Sequence, residues 1–271
     1  MLLKLIFCLW SFSSVRGQTF KSLTPRLRII GGDEAVPHAF PYQVGLLINN
    51  RALCGASLIS ENYVLTAAHC ATEIYNNNVE VILGAHNITA NETSQVRIKG
   101  TDIIIHENYD YTSFQNDIAL IRLASPAPLN DVIKTVALPS RRDRGKTYLN
   151  QETTSIGWGL TEDKHNPTLK DITSTLRVVN VTVMDLDECA DDYNDEETGV
   201  VYVSEVNICT TGYKNKGTCN GDSGGPLLYK SKQIGIVSIG STLCEMCSPS
   251  VFTKVAWFLD WIEEKTDVAI S

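Results

Sequence analysis

The 271-residue chain lacks any apolar run approaching eighteen residues, the length a bilayer-spanning helix needs. It also lacks a cationic excess. Lys plus Arg number 23 against 31 Asp plus Glu, a net charge of −8, which disfavours nucleic acid and anionic membranes as partners. Only Cys244 and Cys247 have C-x-x-C spacing, no second such pair exists, and the five histidines (38, 69, 86, 106, 165) are scattered. A zinc site wants two clusters, so neither a metal nor another cofactor is expected. Helical periodicity is largely missing. Finally, no histidine follows Ser223.

What is present begins with "MLLKLIFCLWSFSSVRG", residues 1–17: one lysine, an apolar run from Leu5 to Trp10 and a small residue at Gly17. This reads as a secretory signal peptide and predicts a soluble, extracellular mature protein. Residues 1–28 hold five cations and no acid, so their loss would take the net charge to −13. Cys8 leaves with the signal, and Cys54, Cys70, Cys189, Cys209, Cys219, Cys244 and Cys247 remain. In an oxidising compartment these should pair, one being left over, and spacing alone does not give the connectivity. Three N-x-[ST] sequons, at Asn87, Asn91 and Asn180, become glycosylation candidates on the same reading.

Short runs such as "YQVGLLI", "VEVIL", "DIALIRL", "TTSIGWG", "TLRVVNVTV" and "QIGIVSIG" recur between turn-forming residues. They predict an all-β sandwich or barrel protein. "VAWFLDWIEEK", residues 255–265, is the exception, with Val255, Phe258, Leu259 and Ile262 at the spacing of an amphipathic helix. Residues 185–197, "DLDECADDYNDEE", carry eight acids and predict a solvated, extended loop; an acidic rim that attracts cations is the sharper alternative. "RRDRGK" at 141–146 predicts an exposed connector open to proteolytic nicking.

The chemistry concentrates in "TCNGDSGGPLL", residues 218–228, where Gly221, Gly224 and Gly225 surround Ser223. Glycine is costly to order, so such a cluster points to special backbone angles or to the close approach of another group. The run fits the G-x-S-x-G nucleophile elbow, but that fold places its histidine after the serine, and here none follows. A serine hydroxyl needs a base, usually histidine, oriented by a carboxylate. An Asp–His–Ser order is formally open through Asp33, although the many short strands argue against the α/β fold it belongs to. The His–Asp–Ser order survives with His69 in "VLTAAHC". More than ten aspartates lie between His69 and Ser223, and spacing does not choose among them.

"RIIGG", "LTAAHC", "NDIALIRL" and "GDSGGPL", in this order, resemble the chymotrypsin-like serine endopeptidases from Arg28 to the C-terminal helix. The resemblance implies two six-stranded antiparallel β-barrels with the site in the cleft between them, and a C-terminal helix. It implies His69 as general base, Asp117 as its orienting carboxylate and Ser223 as nucleophile, with the backbone N–H groups of Gly221 and Ser223 forming the oxyanion hole. Disulfides would join Cys54–Cys70, Cys189–Cys209 and Cys219–Cys244, leaving Cys247 over. Residues 18–28 would be a pro-segment and 29–271 the protease domain. Cleavage between Arg28 and Ile29 by an outside trypsin-like protease would free an amino group to pair with Asp222.

The same resemblance places Gly217 at the floor of the primary specificity pocket, Gly240 on its wall and Ser250 at its back. An uncharged floor predicts a preference for Phe, Tyr, Leu or Met before the scissile bond. A broad or elastase-like preference is the alternative, with Glu245 nearby to draw in basic side chains. Ile239 stands where the family usually has tryptophan, while Ser238 matches the residue that supports the catalytic aspartate. The loop after Gly84 lacks the first acidic ligand of trypsin's calcium site, which again predicts no metal. The implied partners are protein or peptide substrates, the activating protease and protein inhibitors, on a monomer. The rival from another class is a catalytically silent binding homologue; it predicts a lost triad residue or oxyanion-hole glycine, and none is lost.

Overall fold

A computed structural model describes residues 32–162, 164, 168–213, 216–240 and 248–271. The first barrel is built from β2 (Gln43–Ile48), β3 (Ala52–Leu58), β4 (Tyr63–Thr66), β5 (Val79–Leu83), β6 (Val96–Ile105) and β7 (Ala119–Leu123). These close in the order β2-β3-β4-β7-β6-β5, all neighbours antiparallel. Closure leaves no edge strand for another chain to pair with. Val44, Leu46, Leu58, Val64, Val81, Ile98 and Ile121, which share one face by register, fill its interior.

The second half is a seven-stranded sheet of β1 (Asp33–Glu34), β8 (Glu152–Gly157), β9 (Arg177–Thr182), β10 (Asn207–Thr210), β11 (Pro226–Tyr229), β12 (Lys232–Ile239) and β13 (Ser250–Lys254). Its order is β1-β9-β8-β11-β12-β13-β10. The six strands from β9 to β10 curl back on themselves through one bridge, Val183 to Thr210, flanked by Met184 N–H donating to the Cys209 carbonyl at 3.0 Å. β1 lies outside this ring, on β9. Alternation sets the inner face of β9: Val179 and Val181 are buried, whereas Asn180 and Thr182 are exposed. They pack with Ile208, Leu227, Ile234, Val237 and Phe252 as the second core.

The predicted C-terminal helix is split. A 3-10 turn, Val255–Trp257, precedes α3 (Leu259–Lys265), because Phe258 leaves helical angles and sets its ring 5.2 Å from that of His106. Val255, Leu259, Trp261 and Ile262 are buried in the core that also fills the first barrel. Trp261 donates to Glu107 Oε2 at 2.8 Å, and Trp257 lies under the Arg144 guanidinium.

One expectation needs correction. Residues 185–197 are not an extended loop throughout, since Leu186–Tyr193 form α2. Asp185 caps it, its carboxylate accepting the Asp187 N–H at 2.9 Å, and Asp187 and Glu188 sit in the first turn, where the helix dipole favours acids. Leu186, Cys189, Ala190 and Tyr193 form one face, packed with Val203, Cys209 and Val251. The run 141–146 is exposed at most positions, as expected, and it is also tied down. Arg141 bonds Asp260 and Glu263 on α3, Arg144 bonds Asp260, and the Arg141 N–H reaches the Ser271 carbonyl. The expected signal peptide and pro-segment, with Arg28, and Ile29, Cys244, Glu245 and Cys247 lie outside the described residues.

Asp185→Ala should remove the α2 cap and destabilise the fold by about 1 kcal/mol. The check is a lowered urea midpoint with the Cys189–Cys209 disulfide intact; an unmoved midpoint would mean that the disulfide alone holds the helix.

Candidate active site

His69 lies on α1 (Ala68–Thr72), the single turn that follows β4. It is anchored on both sides by the Cys54–Cys70 disulfide, with Cα atoms 6.4 Å apart, and by the Asp117 carboxylate. Asp117 is wholly buried just ahead of β7, after Asn116 in the left-handed region (φ 57°). Its Oδ1 accepts the His69 backbone N–H at 2.9 Å, and its Oδ2 accepts His69 Nδ1 at 2.7 Å and Ser238 Oγ at 2.6 Å. Thr253 Oγ1 donates to the Asp117 carbonyl at 2.8 Å. An ionised carboxylate only accepts, so the neutral imidazole carries its proton on Nδ1 and leaves the Nε2 lone pair open. The His69 side chain is 20% exposed, enough for that edge to face the cleft.

Ser223 comes from the second half, in the loop before β11. Gly221 and Gly224 have φ of 98° and 81°, angles that side chains rarely adopt, and a Cβ on Gly224 would overlap Thr66 Oγ1. The Ser223 carbonyl accepts the Gly55 N–H of β3 at 2.7 Å, and a Cβ on Gly55 would come within 2.8 Å of Gly225 Cα. The glycines are there for both reasons anticipated, backbone angle and close approach. Within the turn, Asp222 N–H donates to the Cys219 carbonyl and Gly224 N–H to the Val237 carbonyl. Among the described residues the N–H groups of Gly221 and Ser223 have no acceptor, and no hydrogen bond joins Ser223 Oγ to His69. Such bonds are often long before substrate binds.

Asp222 is fully buried in a cradle formed by Gly157 and Gly159, where a Cβ on either glycine would strike its carboxylate. It accepts the Gly159 N–H at 2.8 Å and the Cys219 N–H at 3.0 Å. Burial raises its pKa to about 6, against the pull of those two donors.

Beside Ser223 opens a small cavity of about 50 Å³, walled by Thr218, Cys219, Val237, Ser238 and Gly240. Gly217 is buried behind it, and a Cβ there would meet Ser250 Oγ at 3.2 Å. Ser250 Oγ in turn accepts Thr218 Oγ1 at 3.1 Å. Gly240 is open, with Thr218 Oγ1 4.0 Å from where a Cβ would sit. Ile239 is half-buried and packs beside Cys189, Cys209 and Val251. The wall at 241–247 lies outside the described residues.

The site thus gathers His69, Asp117, Ser223, Ser238, Gly221 and Asp222, with Gly217, Gly240 and Ser250 behind them. Sequence reasoning missed Thr253, Thr218 and Phe114, whose ring stands 5.9 Å from that of His69. It also missed Gly157 and Gly159 as the Asp222 cradle. None of these had a local signal, because each acts through a partner distant in sequence. Of the expected disulfides, Cys54–Cys70 and Cys189–Cys209 are formed. Cys219 is disulfide-bonded too, while Cys244 falls outside the described residues. Asn91 and Asn180 are exposed; Asn87 is half-buried, its Oδ1 accepting from Thr89 and Ala90. The loop after Gly84 is closed by Glu92 Oε2 accepting the His86 N–H at 2.7 Å.

Two antiparallel barrels with a buried Asp–His pair facing a glycine-bound serine define a serine-protease architecture. The chain belongs to the trypsin family, whose sequence profile matches residues 29–262. It is 44% identical to brachyurin of Leptuca pugilator over 241 residues, covering 89% of this chain and 99% of that protein. It is 40% identical to a chymotrypsin of Phaedon cochleariae (90% of this chain, 84% of that one). Against the trypsin of Sus scrofa the identity is 34%, over 88% of this chain and 95% of that one.

Asp222 generates a pH prediction. Its folded pKa of about 6 lies above the ordinary 3.8, so the folded state binds the proton more tightly. The stability this gives is complete below about pH 3.8 and lost as pH rises through about 6, on the order of 3 kcal/mol. In an intact Ser223→Ala chain, adding Asp222→Asn should abolish that component. The stability difference between the two should therefore change by roughly this amount from pH 4 to pH 7. A difference flat in pH would show that Asp222 does not take up the proton on folding.

Proposed function

We propose that the chain is a secreted serine endopeptidase, made with a signal peptide (1–17) and a pro-segment (18–28) ahead of the protease domain (29–271). Support comes chiefly from the buried Asp117 carboxylate holding His69 Nδ1 at 2.7 Å, across the cleft from the Gly221–Ser223 turn. In this reading Ser223 Oγ attacks the scissile carbonyl and its proton passes to His69 Nε2. The tetrahedral oxyanion is received by the N–H groups of Gly221 and Ser223. Collapse expels the amine, to which His69 returns the proton, and water then hydrolyses the acyl-enzyme by the same route. Asp117 stays ionised and stabilises the imidazolium. Each oxyanion donor is worth about 2.7–4 kcal/mol in the transition state.

Cleavage after Arg28 by an outside trypsin-like protease would free the Ile29 amino group to pair with Asp222. Stranding one charge of a buried pair costs about 3–5 kcal/mol, so the pair would lock Asp222 ionised and hold the Gly221–Ser223 turn beside it. Protein inhibitors would occupy the same cleft of a monomer, and sugars would sit at the sequons. Wild-type, Arg28→Gln and Ser223→Ala chains, each treated with trypsin and then with an organophosphonate, test both ideas. Only the wild type should be labelled. Labelled Ser223→Ala would overturn the nucleophile, and full labelling of Arg28→Gln would overturn the activation site.

For the primary pocket, the uncharged Gly217 and the open Gly240 favour Phe, Tyr, Leu or Met before the scissile bond. A buried ammonium would find no countercharge at the floor. The second reading, a broad or elastase-like preference, draws on the small enclosed volume beside Ser223 and on the Thr218–Ser250 hydroxyl pair. Gly240→Val would point a branched side chain toward Thr218. The prediction is a fall of about 10–200-fold in kcat/KM on a Phe peptide with little change on an Ala peptide. Equal losses on both would remove Gly240 from the pocket wall, and an Arg peptide cleaved fastest by the unsubstituted enzyme would overturn the apolar reading.

A further inference from the structure

A groove of about 690 Å³ lies between the connector that follows the first barrel and the β11–β12 hairpin. It shares no lining residue with the cavity beside Ser223. Its size falls in the roughly 300–1,000 Å³ range of pockets that hold compact ligands. Tyr148 and Tyr229 line it with their rings edge to face, centroids 5.4 Å apart. Tyr229 is fixed there by its hydroxyl donating to Gln151 Oε1 at 2.8 Å. Leu149, 41% exposed, and Ile234 add apolar surface.

The charge of the groove is opposite to that of the protein. It is lined by Lys146, Lys230 and Lys232, and Asp143 is the one acid among its lining residues. Asp143 is buried and already ion-paired with Lys146, a partner that holds its carboxyl down to about 2. Lys230 and Lys232 have no carboxylate partner among the described residues. Lys230 sits at the hairpin tip with its Nζ 5.1 Å from the centre of the Tyr229 ring. The tip is a two-residue turn, Lys230 and Ser231, with φ of 48° and 65°. Asn-Gly makes such a turn with least strain, so a lysine here is held against local preference.

We propose that this groove is an exosite for a short acidic peptide segment that carries an aromatic or aliphatic side chain, on a protein substrate or inhibitor engaged elsewhere. Its carboxylates would meet the ammonium groups of Lys230 and Lys232, and its apolar side chain would pack on Tyr148, Tyr229 and Leu149. A long polyanion fits worse. Two unpaired lysines offer it little, and the surrounding protein, at a net −8 or lower, repels what extends beyond them.

The decisive readout is binding, so it does not depend on the catalytic reading. In the Ser223→Ala background, fluorescence anisotropy would follow fluorescein-labelled Glu-Phe-Glu-Asp-Leu and its neutral counterpart Gln-Phe-Gln-Asn-Leu. The acidic peptide should bind at least tenfold more tightly than the neutral one. Lys230→Gln/Lys232→Gln should abolish that advantage, and raising salt from 0.05 to about 0.3 M should weaken binding severalfold. The same pair of substitutions should leave the urea midpoint unchanged, which shows the fold intact. Equal binding of both peptides, or an acidic peptide indifferent to the lysine substitutions, would overturn the proposal. So would a heparin oligosaccharide that binds the groove more tightly than the peptide.

Discussion

One backbone hydrogen bond, Gly55 N–H to the Ser223 carbonyl at 2.7 Å, is the reference on which the site's geometry depends. It crosses from β3 of the first barrel to the Ser223 loop of the second. The adjacent residue, Cys54, is bonded to Cys70, the neighbour of His69. Two consecutive residues of one strand therefore locate both the serine and the histidine. The contact requires bare backbone on both sides, because a Cβ on Gly55 would press into Gly225. A small shift of one barrel against the other would move His69 and Ser223 apart, and the proposed catalysis would tolerate little of that.

The barrel interface is correspondingly polar. Asp117 belongs to the first barrel, but Ser238 and Thr253 of the second donate to its carboxylate and carbonyl. Ser57 and Gln233, neither exposed at all, donate and accept across the same boundary at 2.5 Å. In a dry interior such bonds are strong, and an orphaned partner would be costly. This makes the relative placement of the barrels a matter of many specific bonds instead of apolar contact alone. Asp222 departs from this pattern. It is buried with two N–H donors and, among the described residues, no cation, which is why its proton is held so tightly.

Much of the fold was legible in local pattern. "VEVIL" is β5, and "QIGIVSIG" lies in β12 at all but its last residue. Alternation is a property of the segment itself, so no partner is needed to read it. The acidic run at 185–197 misled because its charge masks Leu186, Cys189, Ala190 and Tyr193, whose helical spacing matters only once Cys209 and Val251 stand opposite. The anchoring of the basic connector was hidden for a related reason. Arg141 and Arg144 are paired, but with Asp260 and Glu263 more than a hundred residues away.

By itself the sequence determined the all-β class, the serine with its glycines and the order His–Asp–Ser, since composition and chain order are local or linear facts. It left the aspartate open until the family resemblance pointed to Asp117. Only the tertiary structure placed that carboxylate against His69 Nδ1, seated Asp222 between Gly157 and Gly159, and joined Ser250 to Thr218. It also gathered Lys146, Lys230 and Lys232 around two tyrosines. Each of these depends on contacts between segments far apart in the chain, and loop closure and packing, which no local pattern encodes, decide which of them meet.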